Sequence, residues 1–394
     1  MNLTSLVGPM ASTTHAQPAA ATKPRLAIFM IGGIGAGFAS QGFPAIAAIT
    51  HGLTANFDVD VYSLIGPDPG FTPSGYEVLA PPRGLVGPRT RKLRWPYLAC
   101  QFLNEHRKRP YDVLFSFWAH PIGPLVVALA KLVRRPSVVT VIGAEAAAVP
   151  SIGYGHLRSP LTRRLVIATC EQASRLVVLS ANQERTLREH GLRRDDVHVI
   201  PFGTDPAIFP LRPKRLEPPL KLLHVASLTE VKDQETLLHG FALLRRQLDA
   251  RLRLVGTDCL SGRLQKLAAD LQLRDDVEFV GPLRHEAIPH QHEWADLIVL
   301  TSLSEGQNNS LTEAAMSGRL QVSTPVGHVN DLGENAVVIV RKQDPADFAA
   351  QIMAILRDPA EWDRKVLRAH AWAASHDLHW TVRSLASVLA EASA

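Results

Sequence analysis

Two segments of the chain repeat one another in kind. Arg193-Arg194-Asp195-Asp196 runs into the apolar stretch Val197-His198-Val199-Ile200, and later Leu273-Arg274-Asp275-Asp276 runs into Val277-Glu278-Phe279-Val280. Each follows a helical pattern, over 181–190 in the first case and 261–271 in the second, so one helix, turn, strand unit serves both halves. Helices alternating with short apolar runs require parallel strands joined by crossovers. Two such sets predict an α/β chain of two doubly wound parallel-sheet domains. With 394 residues, each half is long enough to bury its own core.

The boundaries follow from composition. Residues 1–24 read as a disordered tail, with Lys23 as the one base and no long apolar stretch, which argues against a secretory signal. Residues 25–203 form the first domain, opening on the strand Arg25-Leu26-Ala27-Ile28-Phe29-Met30-Ile31. Residues 204–219 hold Pro206, Pro210, Pro213, Pro218 and Pro219 without helical or strand period, and read as a linker. The second domain takes 220–358, and helices over 359–394 close the chain, with Trp362, Trp372 and Trp380 as packing anchors. The last helix is expected to cross back to the first domain, with Trp380 docking there. Cys100, Cys170 and Cys259 are too few and too scattered for a disulfide framework or a zinc site, which points to a reducing cytoplasm. No run of 18 apolar residues suggests a membrane span.

The richest stretch for chemistry is Ser304-Glu305-Gly306-Gln307-Asn308-Asn309-Ser310-Leu311-Thr312-Glu313-Ala314-Ala315-Met316-Ser317-Gly318. It follows the buried-strand pattern Ala295-Asp296-Leu297-Ile298-Val299-Leu300 and opens a short helix that Gly318 would stop. First-turn amides of a helix lack internal partners and carry the positive end of its dipole, so Asn308, Asn309 and Ser310 mark an anion site. Glu305 before the helix and Glu313 one turn inside it bracket that site. Each carboxylate accepts hydrogen bonds from hydroxyls, so a ligand with hydroxyls at both ends and phosphates between them fits, and a sugar nucleotide is such a ligand.

Other segments leave alternatives open. Gly32-Gly33-Ile34-Gly35-Ala36-Gly37 follows the first strand as a tight turn or a phosphate-facing loop, but it fails the dinucleotide frame, and the acidic ribose ligand is missing from the end of the next strand. Asp58-Val59-Asp60 matches a metal-holding D-x-D pattern, yet it lies at the leading end of a strand, away from where ligands bind. His285-Glu286 with His290 and His292 suggests a metal cluster, but Pro289 breaks H-E-x-x-H, and a structural helix face is the expectation. From Arg83 to Arg109, Arg83, Arg89, Arg91, Lys92, Arg94, Arg107, Lys108 and Arg109 mix with Trp95, Tyr97 and Phe102. That mixture suits an anionic membrane surface, a phosphorylated acceptor or a solvated helix face. The formal net charge of +5 does not choose among them, and no nucleic acid is expected. His120 lies at the carboxyl end of the strand Asp112-Val113-Leu114-Phe115-Ser116-Phe117-Trp118, and Glu145 follows the strand Ser137-Val138-Val139-Thr140-Val141-Ile142.

The 304–318 stretch resembles the E-x7-E signature of retaining glycosyltransferase family 4, and Leu320-Gln321-Val322-Ser323-Thr324-Pro325-Val326-Gly327 resembles that family's next strand. Ile200-Pro201-Phe202-Gly203-Thr204-Asp205 resembles its domain boundary. The resemblance implies the GT-B fold, two Rossmann-like domains facing a cleft, and a metal-independent transfer needing no cofactor, with a nucleotide sugar as co-substrate and a glycan or lipid-linked acceptor. It implies that Glu313 holds the ribose, Glu305 the transferred sugar, and Lys232 the diphosphate, with Gly33 and Gly35 closing over the donor and Ser227, Gly306, Asn308, Asn309 and Ser310 lining its site. Lys232, Glu305 and His120 are then the catalytic candidates, with His120 and Glu145 on the acceptor side. Two positions depart from the pattern: Ser227 stands where the family has Arg, and Ile142 where it has His. A non-catalytic sugar-nucleotide or carbohydrate-binding protein on this fold, a nucleotide-sugar epimerase and a two-lobed solute-binding protein are the alternatives.

Overall fold

The computed structural model describes residues 23–82, 85, 91–214 and 216–393. The expected tail over 1–24 lies almost wholly outside them, as do Arg83 and Arg89 of the basic segment. In the first domain β1 (Arg25–Met30), β2 (Asp58–Ser63), β3 (Tyr76–Leu79), β4 (Val113–Ser116), β5 (Ser137–Val141), β6 (Arg175–Val178) and β7 (Val197–Val199) form one sheet in the order β3-β2-β1-β4-β5-β6-β7. All its pairings are parallel. In the second, β8 (Leu220–Val225), β9 (Ala250–Val255), β10 (Val277–Gly281), β11 (Leu297–Leu300), β12 (Leu320–Ser323) and β13 (Val338–Ile339) follow the order β10-β9-β8-β11-β12-β13, again parallel.

Helices cover both faces, so the central strands are mainly apolar. Every residue of β1, β4 and β11 is buried. The order reverses between β1 and β4 in one sheet and between β8 and β11 in the other. Crevices at the carboxyl ends of strands open where the order reverses, and open α/β sheets bind ligands there. The loops after β1, β4, β8 and β11 are therefore the ones that build the site.

The last helix, Leu378–Ser393, seats Leu385, Val388 and Leu389 in the first domain's core. Thr381 Oγ donates to the Pro201 carbonyl and accepts from the Gly203 amide, both at 2.8 Å. Gly203 has no room for a side chain, since a Cβ there would lie 2.1 Å from the His376 carbonyl oxygen. His376 packs between Trp372 and Trp380, with ring centroids 4.9 and 4.6 Å away, where the chain passes from one domain to the other. Asp58 and Asp60, at the opposite end of the sheet, meet arginines: Asp60 binds Arg25 and Tyr111, and Asp58 binds Arg109 at 2.6 Å. The D-x-D match is thus a structural network. Among the described residues, no group of three or more His, Cys, Asp and Glu is placed to hold a metal ion, and no helix is long and apolar enough to cross a membrane.

Candidate functional site

The loop after β11 turns into the helix Asn309–Met316 through an Asn308 cap, whose Oδ1 accepts from the Leu311 amide at 3.3 Å and from Ser310 Oγ at 2.8 Å. The amides of Asn309 and Ser310 are left without a partner among the described residues. They are the free donors of a helix N-terminus, aimed at the crevice. The loop after β8 is laced to this one: Thr301 Oγ donates to the Asp233 carbonyl at 2.9 Å, and the Leu303 amide donates to the Val231 carbonyl at 2.8 Å. That lacing brings Lys232 Nζ within 2.6 Å of Glu305 Oε1, which also accepts from Ser302 Oγ at 2.7 Å and Asn308 Nδ2 at 3.4 Å. Cation, carboxylate and open amides therefore share one wall.

A cleft of about 610 Å³ runs along this wall, lined by Ser227, Lys232, Asn308, Asn309, Ser310 and Glu313 on one side and by Phe43, Pro44 and Phe202 of the first domain on the other. Ser227 is exposed at its rim, with its backbone held by Gln234 Nε2, which donates to the Ser227 carbonyl at 3.1 Å. Glu313 is buried and meets His285 Nε2 at 3.0 Å. Burial alone would lower the His285 pKa, but the hydrogen bond and charge of Glu313 outweigh it and hold the pKa above its ordinary value. Of the four residues 285, 286, 290 and 292 read as a helix face, His285 departs from that expectation by lining the cleft. His292 is buried with neither ring nitrogen bonded, and His290 is exposed. The signal that finds His285 is its place just past the carboxyl end of β10.

Gly306 sits at the meeting of the domains. Its carbonyl accepts from Ser180 Oγ at 3.1 Å, and a Cβ there would lie 1.9 Å from the Ile142 carbonyl oxygen. Gln307, which sequence reasoning passed over, binds both the amide and the carbonyl of Phe202 at 2.7 Å. Gly33 and Gly35 pack against rings rather than line the cleft: Cβ atoms there would fall 2.0 Å from Phe43 and 2.3 Å from Phe71. Their positive φ of 101° and 62° lets the loop present Phe43 to the cavity.

On the acceptor side, His120 Nδ1 meets His156 Nδ1 at 3.2 Å, and burial pulls both pKa values down, with the His156 ring close enough to add to the effect at His120. Neither is among the residues lining the main cleft. Glu145 is 1% exposed and accepts from the backbone amides of Ala119, Ile142 and Gly143, so it ties the loops after β4 and β5 together beneath the surface. Burial raises its pKa against those hydrogen bonds. Tyr154, pushed up to about 12 by burial and by the charges of Glu305 and Glu145, is a further polar group on this side.

Two facing doubly wound parallel-sheet domains, with Lys232, a helix N-terminus and Glu313 lining the crevice between them, have the GT-B architecture of sugar-transfer enzymes. Residues 219–358 match the family model described as glycosyl transferases group 1, and residues 44–203 match the glycosyl transferase 4-like domain, which together take in well over half of the chain. The chain belongs to the GT-B glycosyltransferases. It is 29% identical over 318 residues to the D-inositol 3-phosphate glycosyltransferase of Nocardia farcinica, covering 74% of this chain and 69% of that protein. It is also 29% identical over 194 residues to the MMP alpha-(1->4)-mannosyltransferase of Mycolicibacterium hassiacum, covering 48% and 46%. Several other curated relatives are matched over about half of their length. Among solved structures, sucrose-phosphate synthase from Thermosynechococcus elongatus superposes with a TM-score of 0.77 at 18% identity, over 94% of this chain and 99% of that one. Anabaena HepE in complex with UDP and glucose superposes at 0.72 and 18%, over 93% and 100%.

Proposed function

We propose that the chain is a retaining, metal-independent glycosyltransferase of family 4 that moves a sugar from a nucleotide-sugar donor to a glycan or lipid-linked acceptor. The observation that carries this reading is the convergence of Lys232 and the open Asn309 and Ser310 amides on one wall of the interdomain cleft, with Glu305, itself not among the residues lining that cleft, bonded to Lys232 at 2.6 Å and Glu313 one turn further along. The UDP held by Anabaena HepE supports a nucleoside diphosphate as leaving group. In this reading the diphosphate displaces Glu305 from Lys232 and reaches the helix amides, so positive charge meets the leaving group where it develops. Glu305, still held by Ser302 and Asn308, turns to the sugar hydroxyls, and Glu313 takes the ribose. A phosphate oxygen of the donor accepts the acceptor's hydroxyl proton. The sugar–phosphate C–O bond breaks with its electron pair going to the diphosphate, and the new C–O bond forms on the same face.

A thermal-shift screen with UDP, GDP and ADP and their sugars tests the reading, because ligands of the folded state raise Tm. One nucleotide series is expected to stabilise the protein, turnover is expected to survive EDTA, and the product should keep the donor's anomeric configuration by NMR. An inverted product, or no response to any nucleotide, would overturn it. Docking of the basic segment to an anionic membrane belongs to the same proposal, with fewer free charges than its sequence offers. Arg94 is buried, Lys108 pairs with Glu105 at 2.8 Å, and Arg109 pairs with Asp58. Vesicle co-sedimentation that ignores anionic lipid would remove that part.

A further inference from the structure

The first domain reaches across the cleft and grips a donor-side segment with one side chain. Gln41 donates from Nε2 to Glu286 Oε2 at 2.8 Å and accepts at Oε1 from the His285 backbone amide at 3.0 Å. Its own backbone is fastened. Gly42 next to it has φ 61°, and a Cβ there would lie 2.0 Å from the Gly33 carbonyl oxygen, which in turn accepts from the Phe43 amide at 2.6 Å. The loop thus closes on itself and offers Gln41 at its far end. The segment it grips carries the imidazole that meets Glu313, beside the Phe209 ring at a centroid distance of 5.5 Å. A continuous chain of contacts runs from the first-domain loop through Gln41 and His285 to the carboxylate at the nucleoside end of the site.

We propose that Gln41 and His285 are positioning residues for the donor: Gln41 makes the placement of His285 conditional on the two domains being together, and His285 holds the Glu313 carboxylate in the orientation that receives the ribose hydroxyls. The inference rests on the nucleotide-sugar reading. A glutamate carboxylate has three side-chain torsions to lose on binding, and a partner on one oxygen fixes them in advance while the other oxygen stays open to a diol. Both Gln41 bonds end on residues of the other domain, so neither exists when the domains part. The titratable groups that act on His285 are Glu313 and Glu286, with the buried His292 also near enough to feel its charge; the adjacent Arg284 guanidinium lies 3.5 Å from the Ala39 carbonyl.

The test uses the full chain, calorimetric titration with UDP, GDP and ADP, and steady-state kinetics with the donor so identified. Gln41→Ala should raise donor Kd and KM roughly tenfold, the effect of losing two ordinary hydrogen bonds, while kcat at saturating donor moves much less. Gln41→Glu places two carboxylates together and should weaken binding further. Adding Glu286→Gln to it restores the lost side-chain bond with donor and acceptor exchanged, while the His285 amide still donates to position 41, and should recover most of the loss. His285→Gln, which still donates to Glu313, should bind better than His285→Ala. Wild-type donor KM in folded Gln41→Ala, or no recovery in the Gln41→Glu, Glu286→Gln pair, overturns the inference. Failure of the unmodified chain to bind any of the three nucleotides overturns the functional reading on which it rests.

Discussion

Replacing Lys232 with methionine keeps the aliphatic stem and deletes the charge, and the structure separates its two consequences. Glu305 loses its 2.6 Å partner and keeps Ser302 Oγ and Asn308 Nδ2. The pair's side chains are 19% and 10% exposed, so the loss falls between that of a surface pair and that of a fully buried one. It should cost about 2 kcal/mol of stability. In the proposed reading the donor's diphosphate loses one charge-assisted hydrogen bond, worth about 1.5–3 kcal/mol, which lowers kcat/KM roughly 10- to 150-fold. Combining Lys232→Met with Glu305→Gln removes the orphaned carboxylate. Stability by denaturant unfolding should then return toward wild type while kcat/KM falls further, since both groups proposed to meet the donor are gone. The reasoning is refuted if Lys232→Met stays within about twofold of wild-type kcat/KM, or if activity and stability recover together in the double variant.

Two further outcomes follow from packing and burial. Gly306→Ala sets a Cβ 1.9 Å from the Ile142 carbonyl and 2.3 Å from Gln183 Nε2, and backbone atoms yield little. The domains should be wedged apart, at a cost of about 1–3 kcal/mol, with a larger radius by small-angle scattering and at least tenfold lower turnover. Burial pulls His224, His292 and His328 of the second domain down to about 4, 3 and 4. The unfolded chain takes up these protons near pH 6.5 and the folded one resists, so their share of stability is complete above 6.5. It is lost toward pH 4 at about 1.4 kcal/mol per pH unit for each histidine. His285, shifted the other way, adds its stability as pH falls from its raised folded pKa to about 6.5 and is level below that, so it does not offset the loss toward pH 4. Calorimetry should show the second domain's transition falling between pH 7.5 and 5. His292→Leu, which removes two buried unbonded nitrogens, should raise Tm at pH 5 and flatten the slope.

The strands are legible in the sequence where both faces of the sheet are covered, because burial then leaves an apolar run, as over residues 26–30, 113–115 and 297–300. The strands that escape are sheet edges: β3, with its partly exposed Tyr-Glu-Val-Leu, and the two-residue β13. The donor wall is legible for a related reason. Its cap, open amides and two acids lie in one contiguous stretch, and local order alone places them on a helix N-terminus. Contacts across the cleft have no such signature. Gln41 and Glu286 stand 245 positions apart, and neither belongs to a motif. His285 is passed over because its neighbours fail a metal pattern, although position past a strand's carboxyl end is the stronger criterion.

The two departures from the family pattern belong to the same distinction between side chain and backbone. At position 142 the polar groups that act are main-chain: the amide donates to Glu145, and the carbonyl faces Gly306 where the domains touch. Such a role is indifferent to the side chain, so isoleucine can occupy the position without disturbing the closure of the cleft. Position 227 is likewise fixed through its backbone, by Gln234 and by the close approach of Gly256, whose Cβ would lie 3.0 Å from the Ser227 nitrogen. Its side chain stays exposed at the rim. With serine there, Lys232 and the Asn309 and Ser310 amides carry the positive field of this wall in the proposed reading. Helix-end amides act over about one turn and only where the cap holds them in place. The Asn308 cap thus holds the helix end in place and, through its Nδ2, also reaches Glu305 at 3.4 Å, so in the proposed reading it supports both the anion-binding amides and the acid.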